Sequence, residues 1–300
     1  ARVSQVVCGV PPGAGGRTSV RVTTAGGTSA PAAFRVVPSV TSVVPGSGAV
    51  GDAVTIEGSA FVQGNSFVSF GNVRAARYVS WSYGKVVCIV PPGVSGVSSV
   101  RVTTSGGASN AVDFSVIPTI TRMDRYAAEI GARLTITGTA FGDSQGSSQV
   151  TFGPALVTST ISWSDTSVVL RVPDGTWGTV PVTLTTAGGV SNTVPLGIIP
   201  TVGGLTPAAG AVGSAVMVKG NGFGPEQAGS LVTFGDTPVT RYLSWRNEQV
   251  LCEVPLGASG VEEVKLTTDG GTSTKDDFKV VPTVTSVTPP SAPPGALVTV

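Results

Sequence analysis

Short stretches in which apolar and polar residues strictly alternate recur along the whole chain, and each is closed by glycine or proline. In Val-Arg-Val-Thr-Thr at 100–104, Val100 and Val102 fall on one face, and Arg101 and Thr103 on the other. Gly106-Gly107 then turns the chain, and Phe114 and Val116 share the inward face of the next run. A period of two on either side of a glycine turn is a β-hairpin signature, because successive side chains of a strand point to opposite faces. No stretch carries an amphipathic helical stripe. Residues 122–133 look most helix-like, but they align with a Pro-Gly loop elsewhere in the chain and are expected to be a loop.

The alternating stretches recur in register. Val-Val-Pro-Ser-Val-Thr-Ser-Val at 36–43 returns at 116–123, 198–205 and 280–287, so Pro38, Pro118, Pro200 and Pro282 are spaced 80, 82 and 82 residues apart. Phe61, Phe141 and Phe223 correspond, as do the pairs Phe70-Gly71, Phe152-Gly153 and Phe234-Gly235. Trp81, Trp163 and Trp245 follow, then a Val-Pro-x-Gly corner, then Thr-Thr-x-Gly-Gly at 103–107, 185–189 and 267–271. A two-residue insertion between the two phenylalanines accounts for the longer period of the later units. About seven short strands in roughly 80 residues make a small β-sandwich, two sheets packed face to face. The expected division is therefore a partial unit at 1–37, full units at 38–117, 118–199 and 200–281, and a partial unit at 282–300. Half a sandwich cannot bury its own core, and the two partial pieces together fall well short of one period. A window cut from a longer array is expected rather than two ends that complement each other.

Composition narrows the function classes. Hydrophobic residues are 41% of the chain, enough for several small cores, while charged residues are only 12%, about half the usual share. Net charge is +1 with no basic run, so the positive footprint of a nucleic-acid partner is missing. No apolar run approaches the roughly 18 residues needed to span a bilayer. There is no histidine, which removes the commonest general base and metal ligand. No catalytic residue, cofactor or metal site is expected, and the aspartates Asp143, Asp165, Asp174 and Asp269 read as turn residues. The acidic pairs Glu262-Glu263 and Asp276-Asp277 read as solvated surface.

The ordered motif set resembles the IPT/TIG family, an immunoglobulin-like fold also found in plexins and Rel-type transcription factors. The resemblance lies in Pro-x-Val/Ile at the start of each unit, Gly-x-x-Phe in mid-unit, Val-x-Phe-Gly, the Val-Pro-x-Gly corner and the closing Val-x-Val-Thr-Thr-x-Gly-Gly. It covers essentially the whole chain. The run from Phe141 to Thr186, with Ser162-Trp163-Ser164-Asp165, looks most like tandem units of bacterial surface proteins. Tyr126 departs from it, standing where the other units have Pro45, Pro207 and Pro289, and so does Ala1, where the others have tryptophan. The resemblance implies a module without chemistry of its own: a spacer, a receptor or adhesin stalk, an accessory domain of a polysaccharide enzyme, or a DNA-contacting domain. The outward Arg21, Arg101 and Lys265 are too sparse for the last of these.

Cys8, Cys88 and Cys252 occupy one position in their units, where Leu170 stands in the other. Alternation points them inward as small core hydrophobes, together with Phe70, Phe152 and Phe234. Single cysteines so far apart form no disulfide within a unit. Trp81, Trp163 and Trp245 end a strand on whose face Val79, Ile161 and Leu243 are expected, so packing is the leading reading. Sugar stacking is the alternative, with Tyr78 and Tyr242 expected on the opposite face. The joints run from strand through proline into the next strand without a Gly/Ser linker, and proline fixes φ. A stiff rod of stacked all-β immunoglobulin-like units follows, spanning roughly 100–130 Å for three. The expected role is a non-catalytic extracellular or cell-surface structural segment, a stalk or a filament or sheath subunit. Its partners would be further copies of the repeat, with glycans or surface proteins as the alternative.

Overall fold

The computed structural model describes residues 5–157 and 159–300; Ala1 lies outside them. Among these residues every regular element is a strand. In the middle unit one sheet runs in the order Thr119–Met123, Arg133–Thr139, Ser167–Arg171, Ser162–Ser164. The facing sheet runs Ala127–Glu129, Val194–Ile199, Gly178–Thr186, Gln149–Phe152, Ala155–Val157, with Gly189–Val190 turning back on Gly178–Thr186. The same two orders recur in the units on either side. All pairings are antiparallel except one per unit: the short strand Ala127–Glu129 joins Val194–Ile199 in parallel. The first strand thereby feeds both sheets; of residues 122–133, expected as a loop, 122–123 and 133 end the flanking strands and 124–132 are the turns and short strand that make this switch.

The sheets close on a core that follows the alternation. Val100 and Val102 are fully buried and Arg101 is exposed; Phe114 and Val116, on the neighbouring strand, are buried as well. Phe70 meets Phe114 edge-on at 5.5 Å, and Phe234 meets Phe278 at 5.3 Å. The middle unit has Leu196 in place of the second ring, packed with Phe152. Cys88, Leu170 and Cys252 are all fully buried. Each such side chain contributes roughly 1.5–3 kcal/mol through its burial.

Polar side chains complete the backbone pairing where the ladders stop. The Asn110 amide accepts from the Val40 N–H at 2.9 Å and donates to the Val40 carbonyl at 2.8 Å. Asn192 does the same for Ile120. Buried Ser109, Ser191 and Ser273 accept from the N–H of Val102, Leu184 and Leu266.

Two expectations fail. Tyr78 pairs with Cys88, but Ser80 pairs with Val87 and Trp81 with Val86, so a β-bulge lies between them; the third unit repeats it at Tyr242/Ser244. A bulge adds one residue and inverts the alternation beyond it. Tyr78 and Trp81 therefore share a face, and Val79 and Leu243, expected inward, are exposed at 66% and 44%; Ile161, also expected inward, precedes the strand Ser162–Ser164 and is exposed at 50%. Cys8, expected in a core, is exposed. Residues 5–37 form one two-stranded ladder, Gly16–Val20 with Ala32–Val36, and a small hairpin, with no second sheet of their own to cover them.

Candidate functional site

The candidate aromatic positions are held by the sandwich itself. The Trp81 Nε1 donates to the Phe61 carbonyl, that of Trp163 to the Phe141 and Gly142 carbonyls, and that of Trp245 to the Phe223 carbonyl. Each indole is half-buried and packed against its own unit's core. Tyr78 lies edge-on to Trp81 at 5.2 Å, and Tyr242 to Trp245 at 5.3 Å. The two phenol oxygens accept the Val68 and Val232 N–H at 2.9 Å, tying one sheet to the other. Burial raises both phenol pKa values, and these backbone hydrogen bonds act against the rise. In the middle unit the phenol is replaced by Thr160, and the neighbouring hairpin pairs one step further, Val150 with Val157. A shallow cavity of about 310 Å³ lies beside Tyr78 and Trp81, lined also by Gln63 and Ser66.

The charged candidates serve local structure. Glu263 is bracketed by Lys275 and Lys265, whose hydrogen bonds hold its carboxyl below the usual range. Asp165 accepts the Gly142 N–H at 3.1 Å, and Asn247 accepts the Gly224 N–H at 3.0 Å. Among the described residues no three His, Cys, Asp or Glu side chains come together as a metal site would require.

The unforeseen geometry is at the joints. The threonine of each Thr-Thr-x-Gly-Gly turn accepts the N–H of the first glycine: Thr104 for Gly106, Thr186 for Gly188, Thr268 for Gly270. Those glycines are thereby set against the preceding unit's backbone. A Cβ at Gly106 would overlap the Val36 carbonyl oxygen, one at Gly188 that of Val116, and one at Gly270 that of Ile198. Gly26, in the first partial unit, meets only Thr24. Ala140 adds a methyl elsewhere in the same joint as Gly188. Its φ is +60°, a conformation that costs an L-residue about 1–2 kcal/mol, yet it is fully buried within the core cluster of the preceding unit.

A second contact pairs the corner of one unit with the loop of the next. Gly15 lies against Val62, Ser95 against Gly142, and Trp177 against Gly224. Across the last of these joints the Thr179 N–H donates to the Asp269 carboxylate at 3.2 Å, and the Thr179 hydroxyl to the Asp269 carbonyl at 3.2 Å. Asp269, expected as a plain turn residue, thus reaches across a joint. Trp177 was not visible as a candidate from the repeat because it breaks it: Gly15, Ser95 and Ser259 occupy its position in the other units.

Human fibrocystin-L is 27% identical over 237 residues, which is 75% of this chain and 6% of that protein. The cyclomaltodextrin glucanotransferase of Bacillus sp. (strain 17-1) is 35% identical over 86 residues, 27% of this chain and 12% of the enzyme. The chain thus spans only a small part of these relatives. Among solved structures, a surface glycan-binding protein of Prevotella bryantii matches 53% of this chain and 41% of its own at 17% identity and a TM-score of 0.37. The extracellular region of plexin A4 matches 77% of this chain and 23% of its own at 15% identity and a TM-score of 0.27. The IPT/TIG domain profile matches residues 38–116, 118–196 and 200–280. With three matches in series over most of its length, the chain belongs to the IPT/TIG domain family.

Proposed function

We propose that this chain is a non-catalytic spacer that works outside the cell, holding the parts of a larger surface protein or assembly at a fixed distance. The observation that carries this reading is the repeated seat of a turn glycine on the preceding unit's backbone at Gly106, Gly188 and Gly270. A seat too tight for a methyl group leaves little room for bending, and no flexible Gly/Ser linker intervenes to restore it. Stacked units that each touch only their neighbours convert sequence length into reach, with stability roughly summed over units. The low charge and the exposed apolar residues Val79 and Leu243 at the edge-strand bulges, with Ile161 just before the equivalent strand, favour lateral packing of such rods into a filament or sheath.

Small-angle scattering of the chain tests the reading. A stiff array roughly 100 Å long gives a radius of gyration of about 30 Å, against about 19 Å for a compact globule of this length. A scattering curve that only a broad set of mutually bent shapes can fit would sink the spacer reading.

A further inference from the structure

The joint between the units at 118–199 and 200–281 differs from the others in a way that spacing does not require. It opens into a cleft of about 700 Å³ between the Trp177 corner of one unit and the Gly224–Ser230 loop and Thr267–Asp269 turn of the next. That volume lies within the range of ~300–1,000 Å³ usual for small-ligand sites. Filling the joint takes no more than a serine hydroxymethyl in the preceding one, where Ser95 meets Gly142. An indole is far larger than that task, and 41% of Trp177 stays exposed. The other three tryptophans spend their Nε1 on backbone carbonyls; among the described residues no such acceptor is found for Trp177. Gly224, whose N–H is held by Asn247, gives the ring its room, since a Cβ there would press on the indole Cδ1 at 3.1 Å.

We infer that this cleft binds a neutral hexopyranose unit of an oligo- or polysaccharide, stacked on Trp177. One flat apolar ring suits the C–H face of a pyranose, and the rest of the lining suits its hydroxyls. Glu226 and Asp269 supply carboxylate acceptors, and Ser230 and Thr267 supply hydroxyls that both donate and accept. No lysine or arginine lines the cleft, so nothing there recognises a phosphate, sulfate or uronate. A cationic ligand is the competing chemistry, but it is best held by several aromatic faces, and a single indole is present. Asp269 also has one oxygen on the Thr179 N–H, so the acceptor is fixed in place by the joint itself. The site exists only when both units are seated, and a bound sugar would brace the joint. The inference is independent of the spacer reading, because the cleft is read from one joint alone.

The test is titration of the whole chain with neutral linear hexasaccharides of glucose, galactose and mannose, following the four indole N–H signals by NMR. The expected result is a saturable shift of the Trp177 signal with at least one of them, with the Trp81, Trp163 and Trp245 signals unmoved. Trp177→Ala should weaken binding by about tenfold or more, and Glu226→Gln should weaken it by less. An unmoved Trp163 indole N–H signal shows that the unit carrying Trp177→Ala is folded, and continued protection of Cys252 from thiol reagents shows the same for Glu226→Gln. No Trp177 shift with any of the sugars overturns the inference, as does binding that survives Trp177→Ala. A salt-sensitive shift with choline or trimethyl-lysine, without one from sugar, would replace it with a cation site.

Discussion

Cys88 and Cys252 show how a residue can be chemically reactive by type and inert by position. Burial pushes both thiols up to about 12, whereas Cys8 is exposed. Cys88 and Cys252 should react with a disulfide reagent at pH 8 only after unfolding. Prompt reaction of either would mean that the cores open readily. The same burial sets a pH dependence. A thiol whose pKa is raised by folding stabilises the folded state fully below the unfolded value near 9, and this contribution is lost as pH climbs toward 12. Denaturation midpoints of the outer two full units should therefore fall between those limits, by at most ~4 kcal/mol per thiol. The middle unit, with Leu170 at the same place, lacks this cause of alkaline sensitivity. Cys88→Val and Cys252→Val should make the profile shallower, leaving the part due to the raised Tyr78 and Tyr242 phenols.

At the scale of elements, what was legible was what obeys a regular period. The inward faces of the strands at 100–104 and 112–117 follow from alternation alone, because a residue placed one step out of register would put a polar group in the core. The bulge after Tyr78 was not legible, since Val79 is as apolar as an inward residue and nothing in a period-two pattern marks an inserted one. Nor was the phenol bridge from Tyr78 to Val68, which depends on a contact between sheets rather than along a strand. That bridge has a measurable value. Tyr242→Phe leaves the Val232 N–H without its acceptor while keeping the ring against Trp245. Loss of about 1–3 kcal/mol from that unit is expected, read as a lower denaturant midpoint. An unchanged midpoint would mean that water replaces the phenol. Trp177 escaped sequence reading for the opposite reason: aligning the units emphasises positions they share, and a binding residue on one joint is by nature a departure from the repeat.

At the scale of the whole molecule the question is whether the units act as a string or as one stiff body, and the glycine seats decide it. Gly188→Ala places a methyl against the Val116 carbonyl oxygen and the Gly96 backbone. Both are backbone atoms, unable to rotate away as a side chain would, so the cheapest relief is for the joint to open. Overpacking of this kind typically costs about 1–3 kcal/mol, and the cost should fall on the joint because Gly188 lies in a turn outside its own unit's core. Distances between fluorophores on the units at 38–117 and 118–199 should broaden in the variant, while each unit keeps its own melting behaviour within roughly 0.5 kcal/mol. Gly46→Ala is the internal control: a turn glycine of the labelled 38–117 unit at which a Cβ meets nothing within 4 Å. Broadening at Gly188 and none at Gly46 would make the seat the source of stiffness. Equal behaviour of the two would place the stiffness in the proline-led strand connections instead, and the rod would then depend on the restricted backbone at Pro118 and Pro200 rather than on the turns.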